Sequence, residues 1–121
     1  MAATTGTTTS AGVGTSSSIM KGSWTTDSTK GDHVETVPRD IAFLIAVLDS
    51  GGTNPNILIK FADETDETIL ITGSTGAVTS PADSAGVTIT DATGTAAATF
   101  DVDSTSQVNS GTNQWLAICK P

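Results

Sequence analysis

The chain has 121 residues, thirteen of them acidic and five basic, for a formal net charge of -8. That length predicts one domain, and that charge argues against nucleic acid and anionic membrane surfaces as partners, because both need a basic footprint. The single cysteine, Cys119, excludes an intrachain disulfide framework and a cysteine-rich zinc site, and the single histidine, His33, excludes a two-histidine metal motif.

Residues 1–18 hold six Thr, four Ser, three Gly and three Ala without any charge. Such a segment buries too little apolar surface to offset its own ordering, which costs roughly 1 kcal/mol per residue in the backbone alone. It is expected to be a flexible arm, ordered only where neighbouring subunits hold it, with the folded domain spanning residues 19–121. The N-terminus has neither a basic region nor an apolar core, so no cleavable secretion signal is expected. Over the whole chain Thr and Ser supply 36 of the 121 residues. Short stretches rich in Val, Ile and Phe are separated by Gly, Asn, Asp and Ser, the pattern of many short strands joined by turns.

In chain order, a first strand is predicted over Ile19 to Thr26 with Trp24 as its anchor. Residues 26–32 read as a turn, and Val34 to Val37 as a short edge strand stopped by Pro38, which has no N–H to give to a ladder. Ile41 to Leu48 is the longest apolar run, at eight residues, far below the ~20 of a membrane span. Its β-branched content, its brevity and the following Asp49-Ser50-Gly51-Gly52 favour a strand over a helix. Alternation places Ile41, Phe43, Ile45 and Val47 on one face and Ala42, Leu44, Ala46 and Leu48 on the other, so the strand is central or covered by a second layer. On that basis Ile45→Asp is expected to abolish folding. After the turn Asn54-Pro55-Asn56, the alternating runs 57–62 and 68–72 form a hairpin across Asp63-Glu64-Thr65-Asp66-Glu67. Ile69 and Ile71 are expected to point inward, with Thr68, Leu70 and Thr72 opposite.

A Gly-, Ser- and Thr-rich loop follows, then a strand marked by Val87 and Ile89. Next comes one with Ala96, Ala98, Phe100 and Val102 inward and Ala97, Thr99, Asp101 and Asp103 in water. Residues 104–111 connect, with room for one helical turn. A last strand, Gln114 to Lys120, sets Trp115, Ala117 and Cys119 opposite Leu116 and Ile118. Seven or eight strands, each apolar on one face, predict an all-β antiparallel two-layer sandwich.

No constellation reads as a reactive centre, and no catalytic, cofactor-binding or metal-ligating residue is assigned. Asp63, Glu64, Asp66 and Glu67 are the main charge concentration. Carboxylates on one turn can hold Ca²⁺, but their spacing is not that of a calcium-binding helix-loop-helix, and a solvated hairpin tip that discourages edge pairing is the plainer reading. Asp101 and Asp103, two apart on an outward face, lack the burial that would make an acid and base of them. Asp32-His33 resembles an oriented base, yet no nucleophile elbow accompanies it, and His33 is expected in a loop. Cys119 reads as a small buried hydrophobe. Gly73-Ser74-Thr75-Gly76 has neither the Lys nor the following helix of a phosphate cradle. Five aromatics, Trp24, Phe43, Phe61, Phe100 and Trp115, suffice for a core and leave little for a sugar-binding platform.

Three stretches carry a resemblance: Gly31-Asp32 with "VLDSGG" at Val47 to Gly52, "GVTITDATGTAAATFDVDSTSQV" at Gly86 to Val108, and "SGTNQWLAICK" at Ser110 to Lys120. Together they resemble the small immunoglobulin-like β-sandwich of tailed-phage virions, as in the N-terminal domain of the upper baseplate protein. The resemblance implies a bacteriophage virion structural protein without catalytic residues. A small acidic sandwich with an uncharged arm is similar to capsid decoration (cement) proteins, which sit on the outer capsid surface and bridge capsomers, lending capsid stabilisation. The implied partners are the major capsid protein or other virion proteins and copies of the same chain as a homo-oligomer, with no nucleic acid and no membrane; assembly would take place in the host cytoplasm. A tail, baseplate or fibre-attachment component is the alternative, followed by a carbohydrate-binding module or a bacterial surface filament subunit. The arm would reach a neighbour by strand addition, which uses backbone hydrogen bonds and needs no special side chains.

Overall fold

The structure is a computed structural model and describes residues 5–11, 18–26, 31–63, 67–107 and 111–121, the first of these by its backbone alone. It is all-β, with ten strands among those residues: β1 (Thr5–Ala11), β2 (Ile19–Thr26), β3 (His33–Val37), β4 (Ile41–Leu48), β5 (Asn56–Phe61), β6 (Ile69–Ile71), β7 (Val78–Thr79), β8 (Val87–Thr90), β9 (Ala98–Val102) and β10 (Gly111–Cys119). All pair antiparallel, in a seven-stranded sheet of order β1-β2-β10-β4-β5-β6-β7 and a three-stranded sheet of order β3-β9-β8. The expected antiparallel two-sheet architecture is therefore present. Two strands have no counterpart in the sequence reading: β7 inside the Gly- and Ser-rich loop, and β1, which runs seven residues along β2 from within the segment read as an arm.

The two sheets share one apolar interior. Met20, Trp24, Leu44, Leu48, Leu58, Trp115 and Ala117 from the large sheet meet Val37, Val87, Ala98, Phe100 and Val102 from the small one. Phe100 is the keystone: its ring lies 5.0 Å from that of Trp115 at 67° and 6.3 Å from that of Trp24 at 60°. These are edge-to-face contacts, favoured by the ring quadrupole.

The phase of β4 differs from the simple alternation. Ile118 pairs with Phe43 but Cys119 with Ile41, so β4 carries one extra residue, a β-bulge at Ala42. Ile41 faces the core before the bulge; after it Leu44, Ala46 and Leu48 do. Phe43, Ile45 and Val47 turn to the outer face, so Ile45 is not a core residue and the expected loss of folding in Ile45→Asp does not follow from its position.

The hairpin is reversed in the same way. Ile57 pairs with Ile71 and Ile59 with Ile69 on the outer face, while Leu58 and Lys60 are buried, Leu70 packs on the core and Thr68 is buried beside it. Ile69 and Ile71 thus point outward, contrary to expectation. On the buried face Lys60 is 1% exposed, and its ammonium meets Asp83 Oδ1 at 2.6 Å, a pairing that offsets the cost of burying the cation. Ala96 also departs from the expected inward set: β9 starts at Ala98, and the Ala96 carbonyl accepts from Thr93 N in an exposed turn.

Candidate functional site

His33 is not a loop residue. It opens β3 on its buried face, stacked flat on Trp24 at 4.6 Å and 3°, with Nε2 2.8 Å from Glu35 Oε1. Strand alternation brings residues two apart to one face, so Glu35, not the neighbouring Asp32, is its partner. Asp32 instead accepts from Ser104 N at 2.9 Å. Burial lowers the imidazole pKa, and the nearby Glu35 only partly opposes this. His33 Nε2 and Glu35 Oε1 share this hydrogen bond beside the rings of Trp24 and Phe100.

Beside it, Gln107 ties the two layers together. Its Oε1 accepts from Trp24 Nε1 at 3.1 Å and Thr26 Oγ1 at 2.8 Å, and its Nε2 donates to Gly31 O at 2.5 Å and Val102 O at 3.2 Å. Asn113 Nδ2 donates to Thr26 Oγ1 and its Oδ1 accepts from Asp49 N, extending the seam to the turn after β4. Asp49 has φ 56 there and sits against Gly52 and against Gly111, whose φ is 131. The left-handed region and the close approach together select glycine at 111. Polar atoms buried in this way hold a fold in register when each has its partner.

The other residues singled out from sequence are dispersed. Of the acidic turn, 64–66 lie outside the described residues; Asp63 accepts from Lys120 Nζ at 3.2 Å, and Asp91 takes the same ammonium at 2.9 Å. These contacts raise the Lys120 pKa. Asp101 has its carboxyl pKa raised, first by partial burial and then by the negative charges of Asp32 and Asp103. Asp103 caps the 3-10 turn Ser104–Ser106 by accepting from Thr105 N. Cys119 is buried on the core side of β10. Gly73 to Gly76 is the β6–β7 turn, closed by Gly76 N on Thr72 O at 2.7 Å. Among the described residues no three His, Cys, Asp or Glu side chains stand together as a metal would require.

What the sequence reading missed is the outer face of the large sheet. The pairing registers align its outward side chains in three rows across the strands. One row runs Ile19, Ile118, Phe43, Phe61; the next runs Leu116, Ile45, Ile59, Ile69 behind Lys21; the third runs Val47, Ile57, Ile71, Val78 behind Gln114. All twelve residues from Ile19 to Val78 in these rows are apolar. Phe61 is 49% and Val78 65% exposed, and Phe43 and Phe61 lie 5.1 Å apart. A shallow hollow crosses this face, with Lys21 as its one ionisable residue, beside Ile45, Val47, Gln114 and Leu116. The β5–β6 register extended by two pairs sets Glu67 next to Phe61, and both line a second hollow with Ala42 and Asp63. The signal was present in the run of Ile at alternate positions, 57, 59, 69 and 71, but a two-layer fold assigns such residues to the interior.

Among the described residues no third layer covers this apolar sheet face, which makes it a surface for contact. No protein-family model, no curated protein and no solved structure matches the chain.

Proposed function

We propose that the protein is a non-enzymatic structural subunit of a tailed-phage virion, specifically a capsid decoration protein that binds the outer head surface and bridges capsomers. The observation that carries the assembly role is the outer face of the large sheet. Exposed apolar patches of more than a few hundred Å² mark interaction surfaces in folded proteins, and twelve apolar side chains in contiguous rows reach that size. The virion assignment rests on the resemblance of the stretch from Lys30 to Pro121 to the phage sandwich. The acidic surface supports it too, since it suits a position outside the shell, away from packaged nucleic acid.

The test is to locate the chain on native particles by antibody-labelled electron microscopy. Copies tiled over an icosahedral shell are expected. Rings of three or six at the tail would make it a tail or baseplate component, and absence from particles would overturn the virion role. Removing residues 1–18 is expected to leave a folded domain by circular dichroism that no longer co-sediments with particles. Wild-type occupancy by the truncated chain would refute the part given to the arm.

A further inference from the structure

We infer that the outer face of the large sheet is the seat of a second copy of the chain, packed face to face about a two-fold axis running along β4. The inference rests on the assembly role proposed above and names its first partner.

Three features lead to this occupant. The first is area. With about 4.8 Å between strands and about 6.8 Å between alternate residues, three rows of four side chains occupy about 400 Å² in projection. Standard interfaces bury about 800 Å² on each partner, with an apolar centre and a polar rim. The patch supplies that centre, and Lys21, Gln114, Ser23 and Glu67 lie around it. The second is shape. The patch crosses six strands in the order β2-β10-β4-β5-β6-β7, and β4 is the middle strand of the seven-stranded sheet. A two-fold axis along β4 lays β2 of one copy over β6 of the other and β10 over β5, which sets Ile118 against Phe61 and Leu116 against Ile59. Sheets of Ile and Val stack in this way at the spacing of a sandwich interior, and an isologous contact uses the same patch twice.

The third is charge. Lys21 on β2 marks one margin of the patch and Glu67, just ahead of β6, marks the other. The axis along β4 brings each Lys21 to the margin where the partner carries Glu67. An axis across the strands would instead set Lys21 against Lys21, so the charges select one of the two packings.

The measurement is sedimentation equilibrium of the full chain from micromolar to hundreds of micromolar. The wild type is expected to dimerise, and Ile45→Asp to weaken the dimer at least 100-fold with an unchanged circular dichroism spectrum. Val78→Asp, at the most exposed of the twelve positions, serves as a second probe if Ile45→Asp misfolds. Lys21→Glu is expected to weaken the dimer about tenfold, and Lys21→Glu with Glu67→Lys to restore it within about threefold. A wild type that stays monomeric throughout overturns the inference, and so does a dimer indifferent to Ile45→Asp and Val78→Asp. Particle binding by a strictly monomeric chain would defeat the dimer and leave the proposed function standing; a stable dimer absent from particles would do the reverse.

Discussion

Leu44 and Ile45 are neighbours on β4 with opposite surroundings, and the bulge at Ala42 decides which of them the core needs. Leu44 is 1% exposed among Met20, Ala117 and Leu58 in the interior cluster, whereas Ile45 sits on the outer face between Leu116 and Ile59. Leu44→Ala removes fully buried atoms and leaves a cavity, which costs about 2–5 kcal/mol. Ile45→Ala removes half-buried atoms and leaves no enclosed void, so about 1 kcal/mol is expected. At about 4 °C of melting temperature per kcal/mol for a domain of this size, Leu44→Ala lowers Tm by roughly 8–20 °C and Ile45→Ala by roughly 4 °C. Urea unfolding followed by Trp fluorescence, at a concentration where the chain sediments as a monomer, measures both. Simple alternation without the bulge exchanges the two residues. A cost for Ile45→Ala equal to or above that for Leu44→Ala would refute the observed phase of β4.

Further outcomes follow from the buried polar groups. His33 has a folded-state pKa below its ordinary 6.5, so the stability it contributes is complete above pH 6.5 and is lost as pH falls through the folded value. Urea midpoints are expected to drop between pH 7.5 and 5, and less steeply in His33→Gln. Asp101 has the opposite sign: its raised carboxyl pKa favours folding below its ordinary value and disfavours it as pH rises through the folded one. Asp101→Asn is therefore expected to raise the midpoint at pH 7. Gly111→Ala forces a side chain into a backbone at φ 131 and against the Asp49 carboxylate, with an expected cost of about 1–3 kcal/mol by thermal unfolding. Gln107→Ala withdraws the acceptor of Trp24 Nε1 and the donor to Gly31 O; each buried group left unsatisfied costs about 1–3 kcal/mol, so a loss of at least about 2 kcal/mol is expected.

The strands were legible where period two met turn residues. Ile19–Thr26 and the inward set Ala98, Phe100 and Val102 follow from alternation alone, as does the burial of Trp115, Ala117 and Cys119. Faces were misread where a longer-range fact overrides the pattern. The bulge in β4 shows only in its pairing with β10, more than seventy residues away in the chain. Lone charges ordinarily stay in water, so period two alone does not show that Lys60 is buried; the Asp83 carboxylate, brought close by the turn before β8, helps make that burial tolerable. With Lys60 inward, alternation sets Leu58 inward and Ile57, Ile59 and Phe61 outward, which leaves the outer face of β5 apolar. His33 was misplaced for a related cause: a short polar stretch looks like a loop until Trp24 and Glu35 are seen to receive it.

The last strand of the chain lies between the first and second long ones. β10 separates β2 from β4, which do not pair with each other. Until residues 111–119 have emerged from the ribosome, the larger sheet is two unconnected pieces, each with a bare backbone edge. The sheet therefore closes only once β10 is in place, at the slow pace of folds built on distant pairings.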